Sequence, residues 1–81
     1  MNRAEISQKL EQILRNVFEN DSIAIRDNLS ASDIEGWDSL NHINLIVALE
    51  KEFNIRFTTR EVYAAENVGE FIDMLEKKLR L

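Results

Sequence analysis

The 81-residue sequence contains no cysteine, no proline and only two glycines. Without cysteine the chain can form no disulfide, no zinc thiolate site and no thiol nucleophile of its own. No apolar run approaches the roughly 20 residues that a membrane-spanning helix requires. The opening residues, Met1-Asn2-Arg3, do not resemble the start of a signal peptide. We therefore expect a cytoplasmic protein with no metal site.

Positive charge is also scarce, because 10 lysines and arginines stand against 15 aspartates and glutamates, for a net charge of −5. Residues 19–38 hold six acids and one base, so they account for the whole imbalance. Nucleic acid is not expected as a partner, because phosphate binding requires a basic surface. A partner enzyme with a basic rim is expected instead, because complementary charge speeds encounter.

The length and composition fit one small domain over residues 1–81. A chain of this size removes only about 60% of its unfolded surface from water, so its core must be small. The hydrophobic fraction of 44% and the charged fraction of 31% are typical of a compact fold rather than a disordered tail.

The first and last helices are predicted from local capping signals and apolar stripes. Asn2 with Glu5, and Asn67 with Glu70, have the spacing of a capping box and mark two helix starts. Each start is followed by apolar residues at helical spacing. The two stripes are Ile6, Leu10, Ile13, Leu14, Val17 and Phe18, and Val68, Phe71, Ile72, Leu75 and Leu79.

Two further helices are predicted between them. The second runs over about residues 39–53. Thr58 and Glu61 again have capping-box spacing, so a short third helix should contain Val62, Tyr63 and Ala64. Residues 54–57 form a connector whose Ile55 and Phe57 should point inward. A strand over residues 53–58 is the alternative, but it would have no partner strand.

Residues 20–38 show no sustained periodicity and are predicted to form a long loop. Such loops in small domains are usually functional or disordered. Its apolar residues, and a possible helical turn at residues 30–34 with Ser30 and Asp33 at cap spacing, favour an ordered loop. The chain should therefore be all-α, a small four-helix bundle with three longer helices, a short third helix and a long first connection. The apolar loop residues are Ile23, Ile25, Leu29 and Ile34.

Ser39 lies where this loop meets the second helix, within the sequence Gly-Trp-Asp-Ser-Leu. The apolar residues that follow recur at helical spacing, which places Ser39 in the first turn with Asp38 as the N-cap. Unpaired N–H groups and the positive end of the helix dipole favour a phosphate at such a position. These apolar residues are Leu40, Ile43, Ile46, Val47 and Leu49.

The Asp-Ser-Leu turn, the acidic loop before it and the sequence Ala-Leu-Glu-Lys-Glu-Phe at residues 48–53 together resemble the acyl carrier protein family, and the resemblance covers nearly the whole chain. It implies that Ser39 receives phosphopantetheine from coenzyme A through a phosphopantetheinyl transferase. The chain would then be a carrier, not an enzyme, that holds acyl or aminoacyl groups as thioesters. The implied attachment motif is Gly36, Trp37, Asp38 and Leu40.

The resemblance also implies acyl-loading and acyl-processing enzymes as partners of a monomer, as in fatty acid or polyketide biosynthesis. The second helix nevertheless holds only Glu50 and Glu52 as acids, whereas the carriers of fatty acid synthesis usually present several. Trp37 before Asp-Ser is also more typical of specialised carriers than of the housekeeping type. Candidate partner-recognition residues are Asp33, Glu35, Asn41, His42, Ile43, Val47 and Glu50.

Two other functions fit parts of the pattern. His42 follows Ser39 by three residues on one helix face, which is compatible with a serine–histidine hydrolase. No glycine-rich turn supplies an oxyanion hole, however, so we expect His42 to be a surface histidine near a partner or the prosthetic arm. The remaining alternative is an unmodified helical adaptor that binds a protein through its second helix.

The remaining large side chains are expected to be structural. Trp37 should anchor the loop over the edge of the core, although it could instead line the mouth through which an attached chain enters. Gly36 should permit a backbone turn that is closed to larger residues. Tyr63, Met74 and the phenylalanines should lie in the core or at its edge.

Overall fold

The computed structural model describes residues 1–79, which form four α-helices and one 3-10 turn without any strand in that range. The all-α class, the short third helix and the long first connection are thus confirmed, and the alternative strand over residues 53–58 is wrong. None of the described helices is long and apolar enough to cross a membrane. The helices are α1 (Arg3–Val17), α2 (Ser39–Phe53), α3 (Thr59–Val62) and α4 (Val68–Leu79).

The predicted capping boxes start α1 and α3. The Asn2 side chain accepts from the Glu5 N–H over 2.9 Å, and the Glu5 carboxylate accepts from the Asn2 N–H in return. Thr58 and Glu61 make the same reciprocal pair before α3. These bonds satisfy backbone donors that a helix start otherwise leaves unpaired. The residue spacing that allows them is why the two helix starts could be predicted from the sequence.

Helix α4 begins with only half of the predicted box. The Asn67 side chain accepts from the Glu70 N–H over 2.9 Å, but the Glu70 carboxylate accepts from the N–H of Glu66 instead of that of Asn67. The first residue of the helix, Val68, donates its N–H to the Leu29 carbonyl over 2.8 Å. The start of α4 is therefore joined directly to the long loop.

Helices α1, α2 and α4 surround one apolar core, which three residues of the long loop complete. The loop is ordered as predicted, with a 3-10 turn at Ala31–Asp33, and Ile25 is half-buried against the core. The connector residues Ile55 and Phe57 also pack against it. The buried side chains are Ile6, Leu10, Ile13, Leu14, Ile23, Leu29, Ile34, Leu45, Ile46, Leu49, Phe53, Val68, Phe71, Ile72 and Leu75.

Helix α2 is apolar on two faces, and the predicted stripe did not include all of the inner one. Leu45 is fully buried although it was absent from the predicted stripe, whereas Leu40 in that stripe is 70% exposed. Ile43 and Val47 are also exposed, so they share an outer apolar surface with Leu40. The second helix therefore packs against the core with one face and offers a second apolar face to solvent.

The third helix is shorter than predicted. It ends at Val62, and Tyr63 leaves the helical conformation at the C-cap, so Tyr63 and Ala64 lie outside it. Tyr63 is 67% exposed, which corrects its expected place in or beside the core. No residue of α3 is fully buried, but Val62 is half-buried against the core, and Glu61 forms an ion pair with Lys78 of α4.

Candidate functional site

Ser39 is the first residue of α2 and is exposed. Asp38 is the N-cap as predicted: its carboxylate accepts from the Asn41 N–H over 2.8 Å, and its carbonyl accepts from the His42 N–H over 2.9 Å. The N–H groups of Ser39 and Leu40 come earlier in the turn, at the positive end of the helix dipole. A phosphate ester on the Ser39 hydroxyl fits this electrostatic environment.

Gly36 shapes the approach to this turn. Its φ of +89° belongs to the region that side chains other than hydrogen rarely adopt, which confirms the predicted reason for glycine. The Gly36 carbonyl accepts from the Asp38 N–H over 3.0 Å and from the Asn41 amide over 2.8 Å. The Asn41 side chain therefore ties the end of the loop to α2.

Trp37 anchors the loop, as expected. Its half-buried ring packs on Phe18 near the end of α1, with a centroid distance of 5.0 Å. Its indole N–H donates to Nδ1 of His42 over 3.1 Å. The residue two positions before Ser39 is thus bonded to the residue three positions after it.

The expectation of a surface histidine is wrong, because the His42 ring is half-buried and engaged at both nitrogens. Besides the bond from Trp37 to Nδ1, Nε2 lies 2.6 Å from the Val62 carbonyl. The ring also stacks on Tyr63 at a centroid distance of 5.4 Å. Neither ring nitrogen is open to take a proton from Ser39, so the geometry is unsuited to a serine–histidine hydrolase.

Two of the predicted recognition acids have roles inside the chain. Asp33 accepts from the backbone N–H of Ser30 and lies 3.6 Å from Arg26. The Ser30 N–H, followed by the Ser30 hydroxyl and the Arg26 charge, holds the pKa of the Asp33 carboxyl below its ordinary value. Glu50 accepts from the Phe57 N–H over 2.9 Å and so holds the connector after α2.

The other recognition candidates lie closer to solvent. Glu35 is exposed one residue before the Gly36 turn. Leu40, Ile43 and Val47 are 70%, 41% and 42% exposed, and they follow one another at helical spacing on the outer face of α2. This outer face starts beside Ser39, so a protein that reaches the Ser39 hydroxyl would also meet these side chains.

Sequence reasoning missed the part that the third helix has in this site. His42 and Val62 are 20 residues apart, and no local pattern links an imidazole to a distant carbonyl. One feature of the sequence could have indicated a contact between Trp37 and His42: they are the only tryptophan and the only histidine of the chain, and they lie five residues apart.

Comparison with known proteins gives a consistent family assignment. Residues 5–75 match the family model described as "Phosphopantetheine attachment site". An acyl carrier protein of Buchnera aphidicola is 32% identical over 73 residues, which cover 90% of this chain and 91% of the relative. An acyl carrier protein of Thermosynechococcus vestitus is 28% identical over 79 residues, with 98% of each chain covered.

A solved structure gives the same assignment at the level of the fold. The chain is similar to the holo acyl carrier protein from Geobacter metallireducens, whose structure was determined by NMR in solution, with a TM-score of 0.84 and 46% identity. The match covers 89% of this chain and 83% of the other. The two proteins are therefore similar in sequence as well as in helical architecture.

Proposed function

The chain belongs to the acyl carrier protein family, and we propose that Ser39 is the residue to which its phosphopantetheine is attached. Members of this family bear phosphopantetheine covalently, so the chain is a carrier protein and not an enzyme. The observation that supports Ser39 is its exposed position as the first residue of α2, directly after the Asp38 cap. Backbone N–H groups of the first turn are then available beside an attached phosphate.

The attachment is a phosphoryl transfer that needs coenzyme A and a separate phosphopantetheinyl transferase. The Ser39 oxygen forms a bond to the phosphorus that carries pantetheine, and the pyrophosphate bond of coenzyme A breaks. Adenosine 3′,5′-bisphosphate leaves, and the hydroxyl proton passes to a base of the transferase. This chain contributes the placement of the hydroxyl and the positive end of the α2 dipole.

The attached arm supplies the thiol on which acyl or aminoacyl groups are held as thioesters. The chain has no cysteine of its own, so the arm is its one source of a thiol. Acyl-loading and acyl-processing enzymes, as in fatty acid or polyketide synthesis, are then the partners. A monomeric state and a cytoplasmic location stay predictions.

The surface of α2 favours a specialised carrier over the housekeeping type. Both acids of its sequence are engaged within the chain: Glu50 accepts from the Phe57 N–H, and Glu52 lies 3.2 Å from the Lys9 ammonium. The outer face instead presents Leu40, Ile43 and Val47. A partner that docks on this face would make apolar contacts, with charge attraction supplied by the acidic loop before it.

Intact-mass measurement tests the assignment. Incubation with coenzyme A and a broad-specificity phosphopantetheinyl transferase should add one arm, and Ser39→Ala should abolish the addition. Ser22→Ala and Ser32→Ala are matched controls, because both serines are exposed but neither begins an α-helix. An arm mapped to another serine would refute the assignment to Ser39. No mass increase in the wild-type chain would favour the unmodified adaptor.

A further inference from the structure

We propose that His42 is a positioning residue for the modification of Ser39. The proposal rests on the function proposed above, because it gives His42 a part in that same reaction. Its basis is the bond from the Trp37 indole to Nδ1 of His42, which spans the attachment turn from one side of Ser39 to the other. The other nitrogen of the same ring, Nε2, contacts the Val62 carbonyl at the end of α3.

The two partners define the protonation state of the imidazole. An indole N–H can only donate, so Nδ1 must be the unprotonated nitrogen that accepts from it. A backbone carbonyl can only accept, so Nε2 must carry the proton that points at Val62. One neutral tautomer satisfies both bonds, and any other state of His42 loses at least one of them.

The ring joins three parts of the fold around Ser39. Trp37 packs on Phe18, the C-cap residue of α1, so the His42 bond links the loop end to a residue that is already anchored on the core. Tyr63, the C-cap residue of α3, stacks on the His42 ring itself. The contact of His42 with the Val62 carbonyl joins the end of α3, where Val62 packs against the core, to the attachment turn.

The expected consequence is kinetic. Transfer to Ser39 requires its oxygen to approach the phosphorus in a narrow range of geometries, and a small displacement lowers the rate. Without the Trp37–His42 bond, the residues between them spend less time in the geometry that presents Ser39. The core of α2 is formed by other residues, including Leu45 and Leu49, so the chain should stay folded while modification slows.

Three substitutions of His42 separate the contributions of its two bonds. His42→Asn keeps an acceptor oxygen near the position of Nδ1, and His42→Gln keeps an amide donor near the position of Nε2. His42→Phe keeps a ring to stack on Tyr63 but makes neither bond. We expect kcat/KM for transfer to Ser39 to stay near the wild-type value for His42→Asn. It should fall about 3- to 10-fold for His42→Gln and His42→Phe, the range that the loss of one neutral hydrogen bond produces.

Substitution of Trp37 removes the same bond from its donor side, and the Trp37 indole N–H gives an NMR signal that reports on the bond. Trp37→Phe removes the donor and keeps a ring, so it should slow transfer to a similar extent and add nothing further when combined with His42→Phe. Because Trp37 is the only tryptophan, its indole N–H gives a single NMR signal. Hydrogen exchange at that N–H should accelerate in His42→Gln and His42→Phe and stay slow in His42→Asn.

The outcome depends first on whether the wild-type chain is modified. If the wild-type chain is not modified at Ser39, the proposed function fails and this inference falls with it. Ile6→Val is the stability control, because Ile6 is buried in α1 about three turns from Phe18. If the wild type is modified and both His42→Gln and His42→Phe differ from Ile6→Val by less than twofold, His42 has no positioning role.

A rate for His42→Asn as low as that of His42→Phe would also overturn the proposal, because the Trp37 bond would then not be the reason. All rates are compared among variants that retain native helicity by circular dichroism. If His42→Phe fails this criterion, the ratio of His42→Asn to His42→Gln decides: a ratio near one contradicts the proposal, and a ratio of about three or more supports it.

Discussion

Gly69 and Asp27 lie in backbone contact where α4 meets the long loop. The Gly69 N–H donates to the Asp27 carbonyl over 2.9 Å. An ideal Cβ on Gly69 would lie 3.0 Å from that oxygen and 3.1 Å from the Asp27 Cβ. Glycine inside a helix costs about 0.5–1 kcal/mol relative to alanine. The close approach of the loop explains why glycine is nevertheless found in the first turn of α4.

Gly69→Ala should therefore destabilise the protein, although alanine is the better helix former. The added methyl group would meet backbone as well as side-chain atoms, so the loop must shift, at a cost of about 1–3 kcal/mol. Urea denaturation followed by circular dichroism measures the change. A higher midpoint for Gly69→Ala would show that the loop moves aside freely and that the contact with Asp27 is not a tight one.

Leucines on the two faces of α2 should respond differently to truncation. Leu45 is fully buried, so Leu45→Ala should cost about 2–5 kcal/mol. A core of this size supplies about 3–5 kcal/mol in all, so that variant should be largely unfolded at room temperature. Leu40→Ala is the control within the same helix, since Leu40 is 70% exposed and should change stability by less than about 0.5 kcal/mol. Equal losses in thermal melts would mean that the inner face of α2 is misassigned.

The helix starts could be predicted from sequence because their determinants are local. The Asn2–Glu5 and Thr58–Glu61 pairs each span three residues, and the hydrogen bonds they make in the structure are the ones that the spacing predicts. The Asp38 cap before α2 was predictable for the same reason. Family membership was likewise predictable, because the Asp-Ser-Leu turn, the acidic loop before it and residues 48–53 are visible together in the sequence.

The environment of the site was not predictable, because it depends on contacts between distant parts of the chain. His42 is half-buried because Val62 and Tyr63, at the distant end of α3, cover its side of α2. Leu45 could not be distinguished from Leu40 by periodicity, since α2 is apolar on both faces. The deciding information is which face the other helices cover, and that is a property of the whole fold.

The acid dependence of stability should involve Glu61. The Lys78 ammonium, 2.8 Å away, and the Thr58 N–H lower the pKa of the Glu61 carboxyl. Because the pKa is lower in the folded than in the unfolded chain, this contribution to stability is complete above the ordinary value of about 4.3 and is lost as the pH falls through the folded pKa. Glu61→Gln should thus lower the melting temperature at neutral pH and reduce its fall on acidification.

Lys78→Met is the partner variant for this test, because it keeps an apolar side chain of similar length while removing the ammonium, which also lies over the Phe57 ring and donates to the Arg56 carbonyl. In that background, Glu61→Gln should have a smaller effect at neutral pH than in the wild type. Thermal melts at neutral and acidic pH give both comparisons. An unchanged effect of Glu61→Gln would mean that Lys78 does not stabilise the ionised Glu61 carboxylate.

The charge on the loop should set the rate of encounter with basic partners. Glu35 is the clearest residue for the test, since Asp33 caps the 3-10 turn and Glu50 holds the Phe57 N–H, and reversing either would also disturb local structure. Glu35→Lys should slow association with the transferase, and the effect should shrink as salt is added, because exposed charges more than about 8 Å apart are largely screened at physiological ionic strength. Stopped-flow association at low and high salt measures this.

Glu52→Lys is the control for net charge, because it makes the same change at the last turn of α2, roughly 20 Å from Ser39 at about 1.5 Å per residue. Its ion pair with Lys9 lies on the surface and contributes little to stability, so folding should be preserved. If steering depends on charge beside the attachment turn, Glu35→Lys slows association more than Glu52→Lys does. Equal slowing by both would mean that only the overall net charge matters, and a larger loss from Glu52→Lys would move the recognition surface to the far end of α2.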